Sequence, residues 1–386
     1  MKGYGFTGCG KNRLYQRRYE PFHRFIGYVS SMRGDDEQQA PAFSYIMPEQ
    51  RIPQDHPLRA IRTLVDRALR EQDLHFYALY ARRGRRSIPP ERLLRALLVM
   101  ALYSIRSEGQ LMEQINFNLL FRWFVGLNPD DAVWDASVFT KNRERLMAGD
   151  VSQRLLTAVV EQAGQAGLLS EEHFTVDGTL LQAWASRRSF RPKDPPPAQG
   201  SGARGRKLLR DTHESSTDPE ARLFKRATAA EAVPSYLGHV ITENRHGLVV
   251  AACATQASSK AERAAALQML DAMPPRASRI TLGADKGYQE EEFLRALRRR
   301  GVLPHVAEYK PSKHWKNGLR EEERQSPGFA LSQLARKLVE QVFGWGKNDR
   351  PLRRMKLRGL RRIDWLFRLV MVAHNLVRLP KLIAAQ

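Results

Sequence analysis

Cysteine is nearly missing: Cys9 and Cys253 are the only two in 386 residues. Two thiols so far apart cannot build a zinc site alone, and they exclude a disulfide framework. No apolar run reaches the roughly 18 residues that a spanning helix needs. The nearest, residues 363–379, is broken by Asp364, Arg368, His374 and Asn375. No secretory signal stands at the N-terminus, no internal repeat is visible, and no Gly-x-Gly-x-x-Gly follows a strand-like run, which argues against a dinucleotide fold. Acidic residues are scarce beside basic ones: 41 Asp and Glu face 63 Lys and Arg, a net charge of +22. Such an excess is costly by self-repulsion unless the partner is a polyanion. Nucleic acid is the leading partner class, and an anionic membrane surface is second. With 42% hydrophobic residues the chain can bury a core, and its length suits two or three packed units. The simplest reading is a cytoplasmic, nucleic-acid-facing protein.

The segment Gly5-Phe-Thr-Gly-Cys-Gly-Lys-Asn12 imitates a phosphate-binding loop. Asn12 stands where Ser or Thr must hold Mg²⁺, and only four residues precede Gly5, too few for the required strand. Residues 1–31 therefore read as a basic leader, with Met32 as the expected functional start. Residues 56–165 read as helices. Ser87-Ile-Pro-Pro-Glu91 is a helix start, with Ser or its neighbour as cap. Leu93, Leu94, Leu97, Leu98, Ala101 and Leu102 then share one face. A second helix carries Leu111, Met112 and Ile115. A third starts at Asp135 and carries Phe139, Lys141, Arg143, Arg145 and Leu146. Basic residues on the last of several short helices suggest a helix-turn-helix-like DNA-binding unit, with Lys141, Arg143 and Arg145 as its DNA contacts; an ordinary bundle with a solvated face is the alternative.

From residue 172 the texture changes. His173-Phe-Thr-Val-Asp177-Gly178 reads as a strand ending in Asp-Gly. Residues 186–234 form a basic excursion without periodicity; between Arg187 and Arg210 there are eight Lys or Arg against one Asp. Residues 236–242 and 248–255 flank an Asn244…Gly247 turn, the signature of a hairpin. A helix is expected over 258–271, a strand over 279–285 ending in Asp285, a helix over 290–300 and a strand over 302–306. This order describes a mixed α/β sheet with acids at strand ends. The tail, 347–386, holds eleven Lys or Arg against two Asp. Its first part, 350–362, makes a DNA-backbone stripe with Arg353, Arg354 and Arg358, and 363–379 makes a buried helix. His239 reads as a strand histidine, Trp184 as packed under the sheet, and Trp345 as either core or a base-stacking ring.

Three acids stand apart by position. Asp177 and Asp285 close strands, and Glu340 sits in a helix over 332–343. In that helix Leu334, Ala335, Leu338, Val339, Val342 and Phe343 fall on the buried arc, with Arg336 and Glu340 on the opposite edge and Lys347 returning to it. Singly, each acid could be a turn or a solvated charge. Together, in so basic a chain, they suggest a metal site for phosphate chemistry. Carboxylates are hard ligands suited to Mg²⁺ or Mn²⁺, and two ions about 3.5–4 Å apart can serve both attacking and leaving oxygens. Arg336 and Lys347 are suited to hold phosphates nearby.

These segments resemble bacterial insertion-sequence transposases of the DDE class, in the group of the fifth insertion-sequence family. The resemblance runs from Met32 to the C-terminus. It is carried by Met32-Arg-Gly-Asp-Asp36, Ser87-Ile-Pro-Pro-Glu-Arg-Leu-Leu94, Leu119-Leu-Phe-Arg-Trp-Phe-Val-Gly126 and Phe139-Thr-Lys-Asn-Arg-Glu-Arg145. It continues through His173-Phe-Thr-Val-Asp-Gly-Thr179, Gly283-Ala-Asp-Lys-Gly-Tyr288 and residues 336–347. It implies an α/β RNase H-like catalytic domain over 166–347, with the 186–234 insertion. A helical DNA-binding domain over 32–165 would precede it, and a basic helical segment over 348–386 would pack on it. It implies Asp177, Asp285 and Glu340 as catalytic, metal-holding acids, and Arg336, Glu340 and Lys347 as the family's Arg-x-x-x-Glu-x-x-x-x-x-x-Lys element. Mg²⁺ or Mn²⁺ as cofactor, double-stranded DNA as substrate and a homodimer at synapsis also follow. Two positions depart from the family: Gln333 stands where a Tyr often opens that element, and Ala251 where an acid is common. A domesticated nuclease and an inactive DNA-binding relic are the competing readings.

Overall fold

The computed structural model describes residues 47–80, 87–193, 212–225, 231–274, 278–309, 318–348 and 351–386. The leader, the Met32 start and the basic stretch 194–211 lie outside the described residues. Among the described residues, eight helices come first: α1 (Pro48–Arg51), α2 (Pro57–Arg70), α3 (Asp73–Leu79), α4 (Pro90–Leu102), α5 (Glu108–Phe117), α6 (Leu119–Val125), α7 (Ala136–Ala148) and α8 (Val151–Gln165). The face expected on α4 is buried at Leu93, Leu94, Leu97, Leu98 and Ala101. The expected cap is not there. Pro89 takes the N-cap position without a side-chain bond, and the Ser87 hydroxyl instead donates to Asn142 on α7. On α7, Asp135 caps as expected, accepting from the Ser137 amide at 2.7 Å.

The sheet holds β1 (His173–Gln182), β4 (Arg222–Phe224), β5 (Val233–Glu243), β6 (Val249–Gln256), β7 (Thr281–Ala284) and β8 (Leu303–Val306). Its spatial order is β4-β5-β1-β7-β8, with β6 also pairing β5. β5 is antiparallel to both β1 and β6, while β7 and β8 run parallel to β1 and to each other. An antiparallel meander extended by two parallel strands, with helices on both faces, is the RNase H-like arrangement expected from the sequence. Within the basic excursion, β2 (Phe190–Pro192) and β3 (His213–Ser215) form a small separate ribbon. Helices α9 (Ala261–Ala272) and α10 (Glu291–Arg299) cover one face. Then come α11 (Glu321–Arg324), α12 (Phe329–Ala335), α13 (Lys337–Lys347) and α14 (Leu360–Ile383).

Two boundaries differ from the sequence reading. The first strand does not stop at Asp177-Gly178: β1 continues to Gln182 because β5 is long enough to pair it throughout, from Phe174 with Glu243 to Gln182 with Ser235. The helix expected over 332–343 is two helices that meet at Arg336, and Leu334, expected in the core, is 63% exposed. Val339, Val342 and Phe343 are buried as expected.

The polar interruptions of α14 have a structural cause. β6 is paired by β5 on one side only, and an open strand edge leaves amides and carbonyls unpaired. α14 supplies the partners. Asp364 accepts from the Ala254 amide at 2.6 Å and Arg368 donates to the Ala252 carbonyl at 3.1 Å. Asn375 accepts from the Val249 amide at 2.9 Å and donates to its carbonyl at 2.8 Å. Most other side chains of α14 are apolar and buried, and it shares one core with α2, α4, α8 and β6. Asn375→Ala should therefore strand two buried backbone groups and lower stability by about 2–4 kcal/mol. Chemical denaturation with an unchanged m-value checks this.

Candidate active site

The site forms where the sheet parts. β1 and β7 pair at Phe174 with Leu282 and at Thr175 with Gly283, and beyond Thr175 β1 has no strand on that side. Asp177 lies on β1 just past this point. Asp285 follows the last residue of β7, and its carboxylate accepts from the Gly287 amide at 2.8 Å, fixing the turn Lys286–Tyr288. Both acids thus sit on backbone that the sheet immobilises.

Asp177 sits where a negative charge is disfavoured. Its carboxyl is pushed up to about 7, first by desolvation and then by the charges of Asp285 and Glu262. The Gly178 amide, at 2.8 Å, and the Arg336 guanidinium pull the other way. Like charges in a poorly hydrated cleft resist full ionisation unless a cation joins them. Glu262, in the first turn of α9, is also raised, by burial and then by Asp285. The sequence reading passed over Glu262. Its only signal was an acid in the first turn of the helix after the hairpin, and that position is equally explained by the helix dipole.

Helix α13 faces β1 along one line. Lys347 donates to the Thr179 hydroxyl at 2.7 Å, and Thr179 shares the strand face of Asp177. Arg336, at the break before α13, reaches Asp177 electrostatically, and its Nε is buried without a partner. Glu340 lies between them on that helical edge and is exposed to solvent. Gly344 and Gly346 do not end the helix. A Cβ at Gly346 would lie 2.5 Å from Leu352, so glycine is what lets α13 approach that side chain. Among the described residues, no three His, Cys, Asp or Glu side chains stand close enough to hold one metal ion as they are. Asp177 and Asp285 act on each other electrostatically, and Glu340 is exposed on α13. The donor set nevertheless suits a hard divalent cation: oxygen-only ligands, part-buried, with unneutralised repulsion.

The expected DNA contacts divide. Lys141, Arg145, Arg353, Arg354 and Arg358 are exposed. Arg143 is not available: it is 8% exposed and ion-paired with Glu108 and Glu144, so it ties α7 to α5 instead of meeting solvent. Arg145 lies over the Tyr80 ring at 4.7 Å. Trp184 is not under the sheet. Arg354 lies over its ring at 4.4 Å and Lys356 at 5.9 Å. These groups and Arg106, Arg353 and Trp365 border a cavity of about 620 Å³. Trp345 packs edge-on to His374 at 5.5 Å, on the core side. His239 is a buried strand histidine, held down to about 4 by desolvation. Gln333 donates to the His305 carbonyl at 2.5 Å, and Ala251 is a core residue of β6.

The raised Asp177 has a thermodynamic signature. A carboxyl that binds its proton more tightly folded than unfolded disfavours the fold increasingly as pH climbs from about 4 to about 7. In chelator, Asp177→Asn should therefore be more stable than the parent at pH 8. About 4 kcal/mol is the upper bound, from about three pH units at ~1.4 kcal/mol each. The gap should close near pH 4, as urea denaturation across pH would record.

No helix among the described residues is long and apolar enough to cross a membrane. Residues 47–145 match the family model described as a transposase domain (DUF772), and residues 171–376 match the transposase DDE domain. No curated protein matches the chain. Among solved structures, it is similar to the piggyBac transposase synaptic complex with hairpin DNA at 8% identity and a TM-score of 0.33, over 83% of this chain and 75% of that one. It is also similar to the Mos1 transposase paired-end complex with left transposon end at 9% identity and a TM-score of 0.19, over 69% and 82%. The DDE-domain match covers more than half of the 386 residues and contains Asp177, Asp285 and Glu340; the chain belongs to the DDE transposase family, metal-dependent enzymes that cut DNA and transfer its strands.

Proposed function

We propose that this chain is the transposase of a bacterial insertion sequence of the fifth-family group. It binds the terminal inverted repeats as a homodimer, hydrolyses the phosphodiester at each end and joins the freed 3′-hydroxyl to target DNA. The observation that carries this reading is the placement of Asp177 and Asp285 at the parting of β1 and β7, with Arg336 and the Lys347 edge of α13 alongside.

Asp177, Asp285 and Glu340 are the residues that would hold Mg²⁺, with Mn²⁺ as an alternative. When bound, a pair of such ions activates the attacking oxygen and stabilises the leaving one. The protein's own part is positional. β1 and β7 fix two carboxylates at the cleft. The Arg336 guanidinium, with an unpartnered Nε, is suited to a non-bridging phosphate oxygen. The Lys347 ammonium, steered by Thr179, adds a point charge along the same line. Part-burial keeps water scarce, which strengthens each of these interactions. Lys141, Arg145, Arg353, Arg354 and Arg358 supply exposed positive charge for the DNA backbone. Arg353 and Arg354 stand at the cavity beside Trp184, which itself ends the stretch that follows β1. Arg143 is left out of this contact set because its charge is already neutralised within the helical layer.

Asp285→Asn should abolish Mg²⁺-dependent end cleavage while leaving end binding within about threefold, since it removes one negative charge from a DNA-facing cleft. Cleavage and gel-shift assays on the inverted repeats flanking the gene measure both. Neutralising Arg353, Arg354 and Arg358 together should weaken binding to all sequences alike and flatten the log-affinity against log-salt slope by about 0.9 per lost phosphate contact. An unchanged slope would place the backbone contacts elsewhere.

A further inference from the structure

Arg145 is exposed on α7, yet its guanidinium is held in one place. It lies over the Tyr80 ring at 4.7 Å, and its Nη1 donates to the Ser87 hydroxyl and to the Asn142 side-chain oxygen, both at 3.2 Å. Each support is itself fixed. The same Asn142 oxygen accepts from Ser87, and the Asn142 amide nitrogen donates to the Val138 carbonyl at 2.9 Å. The Tyr80 hydroxyl donates to the Ile88 carbonyl at 3.4 Å. An exposed arginine ordinarily keeps its rotamer freedom and loses it only when a partner binds. Here the fold has already removed much of that freedom. Both bonds are made by Nη1, which leaves the Nε–Nη2 edge, with two parallel N–H groups, for a partner outside the chain.

The surroundings say what that partner is. Val138, Lys141 and Arg145 are exposed and recur at helical spacing, so they form one stripe along α7. The acids nearest Arg145 in sequence are engaged elsewhere: Glu144 pairs with Arg143 and Arg362, and Asp150 with Arg368. Asp135 caps the far end of the helix, where it accepts from the Ser137 amide. A stripe with two cations and an outward valine suits a groove of DNA better than a row of phosphates. Phosphates need charge and no fixed rotamer, and they give valine nothing to touch. Base edges in the major groove offer both partners: guanine sets its N7 and O6 side by side at the spacing of an arginine fork, and thymine presents a methyl group.

We propose that Arg145 is a specificity-determining residue: its Nε–Nη2 edge reads the N7 and O6 of one guanine in the major groove of the transposon end, while Val138 meets a thymine methyl farther along. This rests on the reading of α7 as a DNA contact, and it moves Arg145 from the phosphate backbone to the bases. Seven residues of helix separate the two side chains, about 10.5 Å of rise, which corresponds to about three base-pair steps when the helix follows the groove. Tyr80, Ser87 and Asn142 are then positioning residues, which hold the reading edge in register without touching DNA.

The test is a gel shift of the full chain, at constant salt, on duplexes of the inverted repeat flanking the gene. In each duplex one guanine is replaced by 7-deazaguanine, which lacks the N7 acceptor. The parent should lose about tenfold in affinity at one guanine. Arg145→Ala should bind the unmodified duplex about tenfold more weakly and be indifferent, within about twofold, to the replacement at that guanine. Arg145→Lys keeps the charge and the stem, and its penalty there should fall to about threefold. Uracil for thymine about three base pairs from that guanine should weaken the parent about threefold and leave Val138→Ser unaffected; equal losses in both would overturn the placement of α7 along the groove. A repeat that the parent prefers, with a guanine penalty as large in both Arg145 variants or with no single guanine that matters, would overturn the role of Arg145 and leave the end-binding reading standing. Equal binding of the parent to the repeat and to an unrelated duplex would overturn both.

Discussion

Carboxylates that repel one another in a cleft short of water are the constraint around which this molecule is arranged. Desolvation weighs most on Asp177 and Glu262, and the charge of Asp285 on both, with that of Glu262 on Asp177, adds to it. Such a grouping is unfavourable by itself and persists only if the backbone beneath it is over-determined. The sheet provides that. β1 is paired by β5 along its whole length, while the pairing with β7 holds the root of the cleft closed and lets its mouth open.

The helices after the sheet serve the same cleft at two distances. Close to it, Arg336 at the break before α13 and Glu340 and Lys347 on that helix lie along one edge, and the lysine's bond to Thr179 sets the line along which that edge meets β1. Farther out, α14 covers the exposed margin of β6 with hydrogen bonds from Asp364, Arg368 and Asn375, and carries its apolar faces into the helices that precede the sheet. The basic loop before α14, with Arg353, Arg354 and Lys356, is thereby held beside Trp184. An overall charge of +22 is thus not spread evenly in effect. Arg143 and Arg368 are engaged in ion pairs with Glu108 and Asp364, whereas Arg353, Arg354 and Lys356 are exposed.

Much of this was legible beforehand because local patterns carried it. The hairpin over 236–255, the helices that became α4, α7 and α10, and the placement of Asp285 directly after a strand follow from periodicity and turn residues that act over a few positions. The misreadings share a cause. Asp177-Gly178 looked like a strand end because the pair favours turns, but β5 supplies hydrogen-bond partners that no local pattern reveals. Leu334 looked buried because the helix was taken as continuous, and the break at Arg336 leaves α12 with Leu334 turned out to solvent. Arg143 looked like a DNA contact because sequence cannot say that Glu108, one helix earlier, lies against it.

Composition and short-range pattern alone determined the chemical character of this protein: a basic chain, poor in cysteine, without a spanning segment, whose acids of interest fall at a strand, a strand end and a helix edge. Those properties depend on residue type and on spacings of a few residues. Which acids face one another was decided only by the tertiary structure. Glu262 is 85 and 23 positions from Asp177 and Asp285 (262 − 177 and 285 − 262) and lies on the other face of the sheet from Asp177. Its approach depends on where β7 leaves β1 and on the empty space above Gly178, and both are set by long-range pairing and packing.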